Sequence, residues 1–315
     1  MSEEAGGTRG PFRVGPNTGG EGPAKARPYP GSPLRTRLLT DDGVGIDAVY
    51  EPYTGPREAG PEGLAIVVAH GFTGALERPA VRRVARSFAR YAGVVTFSFR
   101  GHGCSGGRST VGDREVLDLA AAVRWARSLG HERVATAGFS MGGSVALRHA
   151  ALYRPAGEPG ERRDRSGSRT DAGAARRTSW GRTGAHTDAV VAVSAPARWY
   201  YRGTAAMRRV HWVIQRPTGR LVSRYGLRTR IHHQDWDPVP LSPVQAAPLI
   251  APTPLLVVHG DRDAYFPLDH PRSLVDAADP ASTELWIERG FGHAENAAPP
   301  ELLARIATWL RDHAG

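Results

Sequence analysis

The chain has 315 residues, of which 40% are hydrophobic and 23% charged, with a formal net charge of +10. This is enough apolar material for one large α/β core or two small domains. A single cysteine, Cys104, excludes an internal disulfide; no Cys/His cluster has the spacing of a structural zinc site, and no apolar run approaches the roughly 18 residues of a membrane span.

Residues 1–34 are rich in Gly, Pro and charge and read as a disordered arm; the opening Met1-Ser2-Glu3-Glu4 lacks an apolar leader, which predicts a cytoplasmic protein. Leu34 to Tyr50, broken by Asp41-Asp42-Gly43, suits an edge β-hairpin. Leu64–Ala69 is a continuous apolar run of the buried parallel-strand kind, Arg78–Tyr91 is helical, and Val94–Phe99 is again a strand. Asp113–Leu129 places Val116, Leu119, Ala120, Val123 and Ala126 at helical spacing, and Val134–Phe139 is the next strand, followed by a helix-compatible run from Ser144 to Leu152.

Residues 155–187 interrupt this order with low-complexity Gly, Ser, Arg and Asp and read as a disordered surface insertion. Strands resume at Asp188–Ser194, Thr253–His259 and Ser282–Glu288, and Pro299–His313 closes the chain with a helix whose Leu302, Leu303, Ile306, Trp309 and Leu310 share one face. Strands alternating with helices predict an α/β fold with a mostly parallel sheet covered on both sides. The segment between 188 and 253 is too long for a simple crossover.

The basic charge is concentrated outside that alternating frame. Residues 1–38 hold six basic and three acidic side chains, residues 155–187 seven and four, and residues 196–252 nine and two. Nearly all the basic residues are arginines, with Lys25 the only lysine, and no recognised nucleic-acid module accompanies them. Nucleic acid is therefore not expected as a partner.

The chemistry is expected where Gly138-Phe139-Ser140-Met141-Gly142 joins a strand to a helix. Glycines on both sides permit a strained turn that lifts the Ser140 hydroxyl clear of the backbone. Gly103-Cys104-Ser105-Gly106-Gly107 has the same spacing, but loop separates it from its strand and no helix follows, so Ser140 is the candidate nucleophile.

A serine needs a base, and the base an orienting acid. In a parallel sheet the useful positions lie just after the strands. His293, in Gly290-Phe291-Gly292-His293-Ala294-Glu295, follows the last strand, and Asp261 and Asp263 both follow the strand before it. The backbone amides of Met141 and of Phe72, in His70-Gly71-Phe72-Thr73-Gly74, are positioned to stabilise an oxyanion.

Together these motifs resemble the α/β-hydrolase superfamily over residues 35–154, 188–196 and 253–313. His70-Gly71-Phe72 is similar to its oxyanion motif, Gly101-His102-Gly103-Cys104-Ser105 to its pocket-shaping loop, Gly138–Gly142 to its nucleophile elbow, and His259-Gly260-Asp261-Arg262-Asp263 to its acid loop. The resemblance implies that Asp263 rather than Asp261 is the triad acid. It also implies a core over 35–195 and 253–315, with a cap over 196–252.

That cap concentrates Trp199, Tyr200, Tyr201, Trp212, Tyr225 and Trp236 among arginines. This pattern suits an acyl or aryl group attached to a polar or anionic portion, or simply a cap packed on the core. A third reading turns Met207, Val210, Val213 and Ile214 toward anionic lipid, without stable membrane insertion.

The expected activity is a serine hydrolase acting on small carboxylic esters through an acyl-enzyme, needing no metal or organic cofactor. Peptidase, thioesterase and lysophospholipase chemistry use the same apparatus; an acyltransferase or a non-catalytic binding protein on this fold is less expected.

Overall fold

Continuous apolar strands dictate a sheet with two covered faces. A computed structural model describes residues 32–56, 63–154 and 184–315. The expected arm over 1–34 and insertion over 155–187 therefore lie almost wholly outside the described residues. Of the arm, Leu34 already opens the first strand; of the insertion, Ala185 and Thr187 are buried.

In chain order the elements are β1 Leu34–Leu39, β2 Gly45–Glu51, β3 Leu64–Ala69, α1 Pro79–Phe88, β4 Gly93–Phe97, α2 Glu115–Ser128, β5 Arg133–Phe139, α3 Met141–Leu152 and β6 Ala189–Val193. There follow α4 Ala205–Gln215, α5 Pro217–Tyr225, α6 Pro243–Ala246 with a 3₁₀ turn over Ala247–Leu249, β7 Leu255–Gly260, α7 Asp269–Ala277, β8 Thr283–Glu288, α8 Ala294–Ala297 and α9 Pro300–His313. The eight strands form one sheet in the order β1-β2-β4-β3-β5-β6-β7-β8. The β1–β2 and β2–β4 pairs are antiparallel; all the others are parallel.

The period-2 rule sorts the core into two layers. In β3, Ala65, Val67 and Ala69 face α2 and α3, whereas Leu64, Ile66 and Val68 join α1 and α9 on the opposite face. The α9 stripe Leu302, Leu303, Ile306, Trp309 and Leu310 lies in that second layer, as its spacing predicts. The hairpin also forms as expected: the Thr40 carbonyl accepts the Gly43 amide, and the Thr40 amide donates to the Val44 carbonyl, both at 2.9 Å.

A buried ion pair ties the hairpin to the sheet. Arg100, 3% exposed at its side chain, donates through Nη2 to Asp118 at 2.7 Å and through Nη1 to Asp42 at 2.6 Å. Its backbone amide and Nε also donate to Asp118. This network fixes the loop after β4, on which the cap rests.

The expected cap segment divides in two. Residues 199–240 hold the helical hairpin α4–α5 and the aromatic return. From Ser242 the chain re-enters the core, burying Ala246, Ala247 and Ile250 beside α3 and α7. Gly219 permits the tight α4–α5 contact, because a Cβ there would meet the Trp212 carbonyl oxygen at 2.4 Å. No helix among the described residues is long and apolar enough to cross a membrane.

Candidate active site

The turn between β5 and α3 holds Ser140 at φ 50°, ψ −115°, a conformation that non-glycine residues rarely adopt and that costs about 1–3 kcal/mol. Glycines make room for it. A Cβ on Gly142 would stand 2.1 Å from the Ala69 carbonyl oxygen, and one on Gly138 would stand 2.2 Å from that of Gly142. The Ser140 amide donates to Val193 O at 2.8 Å, binding the turn to β6.

His293 comes from the loop after β8. Its Nε2 lies 2.9 Å from Ser140 Oγ and its Nδ1 2.7 Å from Asp263 Oδ2. Burial is the largest influence on Asp263 and acts to raise its pKa, but the His293 hydrogen bond and charge, with the Tyr265 and Phe266 amides, outweigh it and hold the carboxyl below its ordinary range. An ionised carboxylate only accepts, so Nδ1 carries the proton and Nε2 is left to accept from the Ser140 hydroxyl. Tyr265 stacks on the imidazole with ring centroids 4.2 Å apart. Asp261 takes a different part: its Oδ1 accepts the Gly290 amide at 2.6 Å, shaping the loop that carries His293.

Behind the serine, the Gly71 carbonyl accepts from the Gly74 amide at 2.9 Å and lies 2.7 Å from His70 Nδ1. His70 Nε2 accepts the Phe99 amide at 3.1 Å, so Nδ1 is the protonated nitrogen and donates to Gly71. Burial pushes the His70 pKa down to about 3, keeping the ring neutral. In a trans peptide the N–H points opposite to the C=O. With the Gly71 carbonyl tied back, the Phe72 N–H is turned the other way, and Phe72 lines the same cavity as Ser140. Met141 is the first residue of α3, where amides have no intrahelical acceptor. Neither amide has a hydrogen-bond partner among the described residues.

Ser105, the other serine in a Gly-x-Ser-x-Gly setting, is buried and structural in its contacts. Its Oγ donates to Ser98 O at 2.6 Å and accepts the Asp47 amide at 2.9 Å. The loop around it carries the cap: Gly103 N donates to Arg228 O, Arg230 N to Gly101 O, Ser109 N to Arg230 O and His232 N to Ser109 O.

Ser140 and His293 open into a cavity of about 440 Å³ beneath the cap. Trp199, Tyr200 and Trp236 wall it; Trp236 lies 5.1 Å from Trp199 and 5.5 Å from Tyr200 between ring centroids. The apolar face of α4 borders the cavity: Met207, Val210, Val213 and Ile214, each half-buried, line it. Of the cap's other aromatics, Trp212 and Tyr225 are exposed. Arg198, Arg209 and Arg220 reach the cavity wall, Arg198 also pairing with Asp269.

Comparison with known proteins agrees with this topology. A family description headed alpha/beta hydrolase fold matches residues 65–159, from β3 through the Ser140 turn and α3. An esterase of Pyrococcus furiosus superposes with a TM-score of 0.63 at 21% identity, over 90% of this chain and 92% of its own.

The chain has the α/β-hydrolase fold.

The alpha/beta hydrolase GrgF of a Penicillium species shares this fold at 17% identity and a TM-score of 0.61, over 90% of this chain and 99% of its own. No curated protein is recognisably similar to the chain in sequence. Within this α/β-hydrolase fold, one buried side chain beside the serine carries no role in the sequence reading: Glu295, two residues beyond His293, whose Oε1 accepts the Gly71 amide at 2.9 Å. The signal available in the sequence was an acidic residue in a Gly- and Ala-rich loop; its partner 224 positions away was not. Asp47, Glu77 and Cys104 offer possible metal-ligand atoms within 4.8 Å of one another, but Arg35 engages both carboxylates.

Proposed function

We propose that the protein is a serine hydrolase that cleaves a carboxylic ester through an acyl-enzyme. The observation that carries this reading is the unbroken relay from Ser140 Oγ to His293 Nε2 and from His293 Nδ1 to Asp263 Oδ2, at 2.9 and 2.7 Å, opening into the cap cavity.

Ser140 Oγ attacks the ester carbonyl carbon while His293 Nε2 takes its proton. Asp263 holds the ring and stabilises the imidazolium. The carbonyl oxygen gains negative charge and is met by the Phe72 and Met141 N–H groups. As the tetrahedral intermediate collapses, the imidazolium Nε2–H protonates the departing alkoxide and the acyl group stays on Ser140. A water then gives its proton to His293 and attacks the acyl carbon. The carboxylic acid leaves, and the proton returns to Ser140.

The cavity wall favours an acyl or aryl group against Trp199, Tyr200, Trp236 and the α4 face, with a polar or anionic portion toward Arg209 and Arg220. Its volume fits a ligand of modest size.

The test is rapid mixing with nitrophenyl esters of graded chain length. The expected result is a burst of about one equivalent of nitrophenol per enzyme, followed by slower turnover, with both abolished in Ser140→Ala. Absence of turnover in the wild type across esters, thioesters and aminoacyl anilides would favour a binding protein on this fold instead.

A further inference from the structure

Glycine at position 71 leaves the oxyanion segment intrinsically loose, because the backbone on either side of its Cα can rotate freely. One side is already fixed, since the Gly71 carbonyl is held by Gly74 and His70. The other side, the Gly71 N–H, is held among the described residues by a single group, the carboxyl of Glu295.

Glu295 reaches this position from the loop that carries His293. It is 4% exposed, and a Cβ on Gly71 would stand 3.2 Å from both of its carboxyl oxygens and 3.4 Å from Ser140 Cβ. The carboxyl therefore sits directly behind the serine, against the bare Cα of Gly71, where a side chain at 71 would crowd it. Its backbone is anchored in turn: Arg83 of α1 donates to the carbonyls of Glu295, Asn296 and Ala298, and the neighbouring Ala294 amide donates to Ser194 Oγ at 3.1 Å. Among the described residues Oε2 is buried without a hydrogen-bond partner, and Glu295 lines the cap cavity.

We infer that Glu295 is a positioning residue for the oxyanion site: by accepting the Gly71 N–H it fixes the His70–Gly71 peptide, the flank of the Gly71 Cα that the carbonyl bonds leave free, so that the Gly71–Phe72 peptide keeps its orientation and the Phe72 N–H stays aimed at the reacting carbonyl oxygen. This inference rests on the serine-hydrolase reading above. It links two loops 224 residues apart, so that the loop delivering the base also sets the oxyanion donor. Burial raises the Glu295 carboxyl above its ordinary range, against the Gly71 amide, its own amide, His293 and Arg83, which lower it.

The role requires an acceptor oxygen at the present reach, which an amide supplies as well as a carboxyl. Three variants separate it from general packing. Glu295→Leu removes the acceptor, Glu295→Asp withdraws it by one methylene, and Glu295→Gln keeps both acceptor and reach. In Glu295→Leu and Glu295→Asp, kcat on a nitrophenyl ester is expected to fall about 10- to 100-fold with KM within about threefold, since the lost interaction forms in the transition state. Affinity for an alkylboronic acid, whose tetrahedral adduct on serine mimics that state, should fall in parallel. Glu295→Gln should keep at least about ten times the kcat of Glu295→Leu.

If Glu295→Leu does not fold, the Asp and Gln pair still decides the matter. Wild-type kcat and boronate affinity in Glu295→Asp would overturn the inference, as would a Glu295→Gln enzyme as impaired as Glu295→Asp. Failure of the underlying reading has a different signature: no burst and no turnover in the wild type itself.

Discussion

Asp263 divides its two oxygens between His293 and the chain: Oδ2 faces Nδ1 at 2.7 Å, while Oδ1 accepts the amides of Tyr265 at 2.8 Å and Phe266 at 3.1 Å. The second pair of bonds fixes the carboxylate so that the first can fix the imidazole. Asp263→Asn would keep the shape but lose the charge and favour the wrong tautomer. Its kcat should drop about 10³- to 10⁴-fold. Asp261→Asn, which only loosens the contact with Gly290, should cost less than about tenfold. Steady-state kinetics on the two variants checks this, and equal losses would show that the two aspartates had been assigned wrongly.

Gly142 is the tightest point of the serine turn. Gly142→Ala would drive a methyl group into the Ala69 carbonyl oxygen, which belongs to the central β3 strand and cannot yield. Unfolding in urea should show a loss of about 1–3 kcal/mol or more, with kcat falling in the fraction that still folds.

Ser105 supplies the matching control. Ser105→Ala would remove one hydrogen bond to Ser98 O and leave the Asp47 amide unpartnered, destabilising the protein by about 1–3 kcal/mol. Ester turnover at a temperature where the variant is folded should remain within a few-fold of wild type. Loss of the burst in this variant would shift attention from Ser140 to the loop beneath the cap.

Buried histidines set the acid limb of stability. Burial pushes His70 and His149 down to about 3, and His131 and His270 to about 4, below the ordinary value near 6.5 that they regain on unfolding. Between those limits the unfolded chain binds more protons, so their contribution is fully present above about pH 6.5 and is lost as pH falls toward 4 and 3. Each group adds a slope of up to about 1.4 kcal/mol per pH unit. The urea midpoint should drop between pH 7.5 and pH 5, before ordinary carboxylates titrate, and His149→Phe should flatten the curve. A midpoint constant over that range would contradict this.

Much of this fold was legible in residue pattern because it is local. Leu64–Ala69 is a continuous apolar strand, β7 opens with the apolar run from Leu255 to Val258, and the α9 stripe has an unmistakable helical period. Helix α7 was not anticipated: Asp269–Ala277 carries Pro271 and few apolar residues, and it is held by packing against α6, β7 and β8. The placement of the α4 face against the cavity was also hidden, since its amphipathic spacing is the same whether its partner is a cavity or a membrane. Within the candidate site, strand ends pointed to Ser140, Phe72 and His293, whereas Asp261 and Asp263 are separated only by where their side chains reach. Glu295 depends on a pairing with Gly71 that no local pattern encodes.

The central claim is that Ser140 is the nucleophile. Its most direct measurement is treatment of the intact protein with a fluorophosphonate, followed by mass-spectrometric mapping of the adduct. The account predicts one phosphonyl group per chain, on the peptide containing Ser140, absent from Ser140→Ala and slowed in His293→Ala. An adduct on another serine, or stoichiometric labelling that persists in Ser140→Ala, would contradict it.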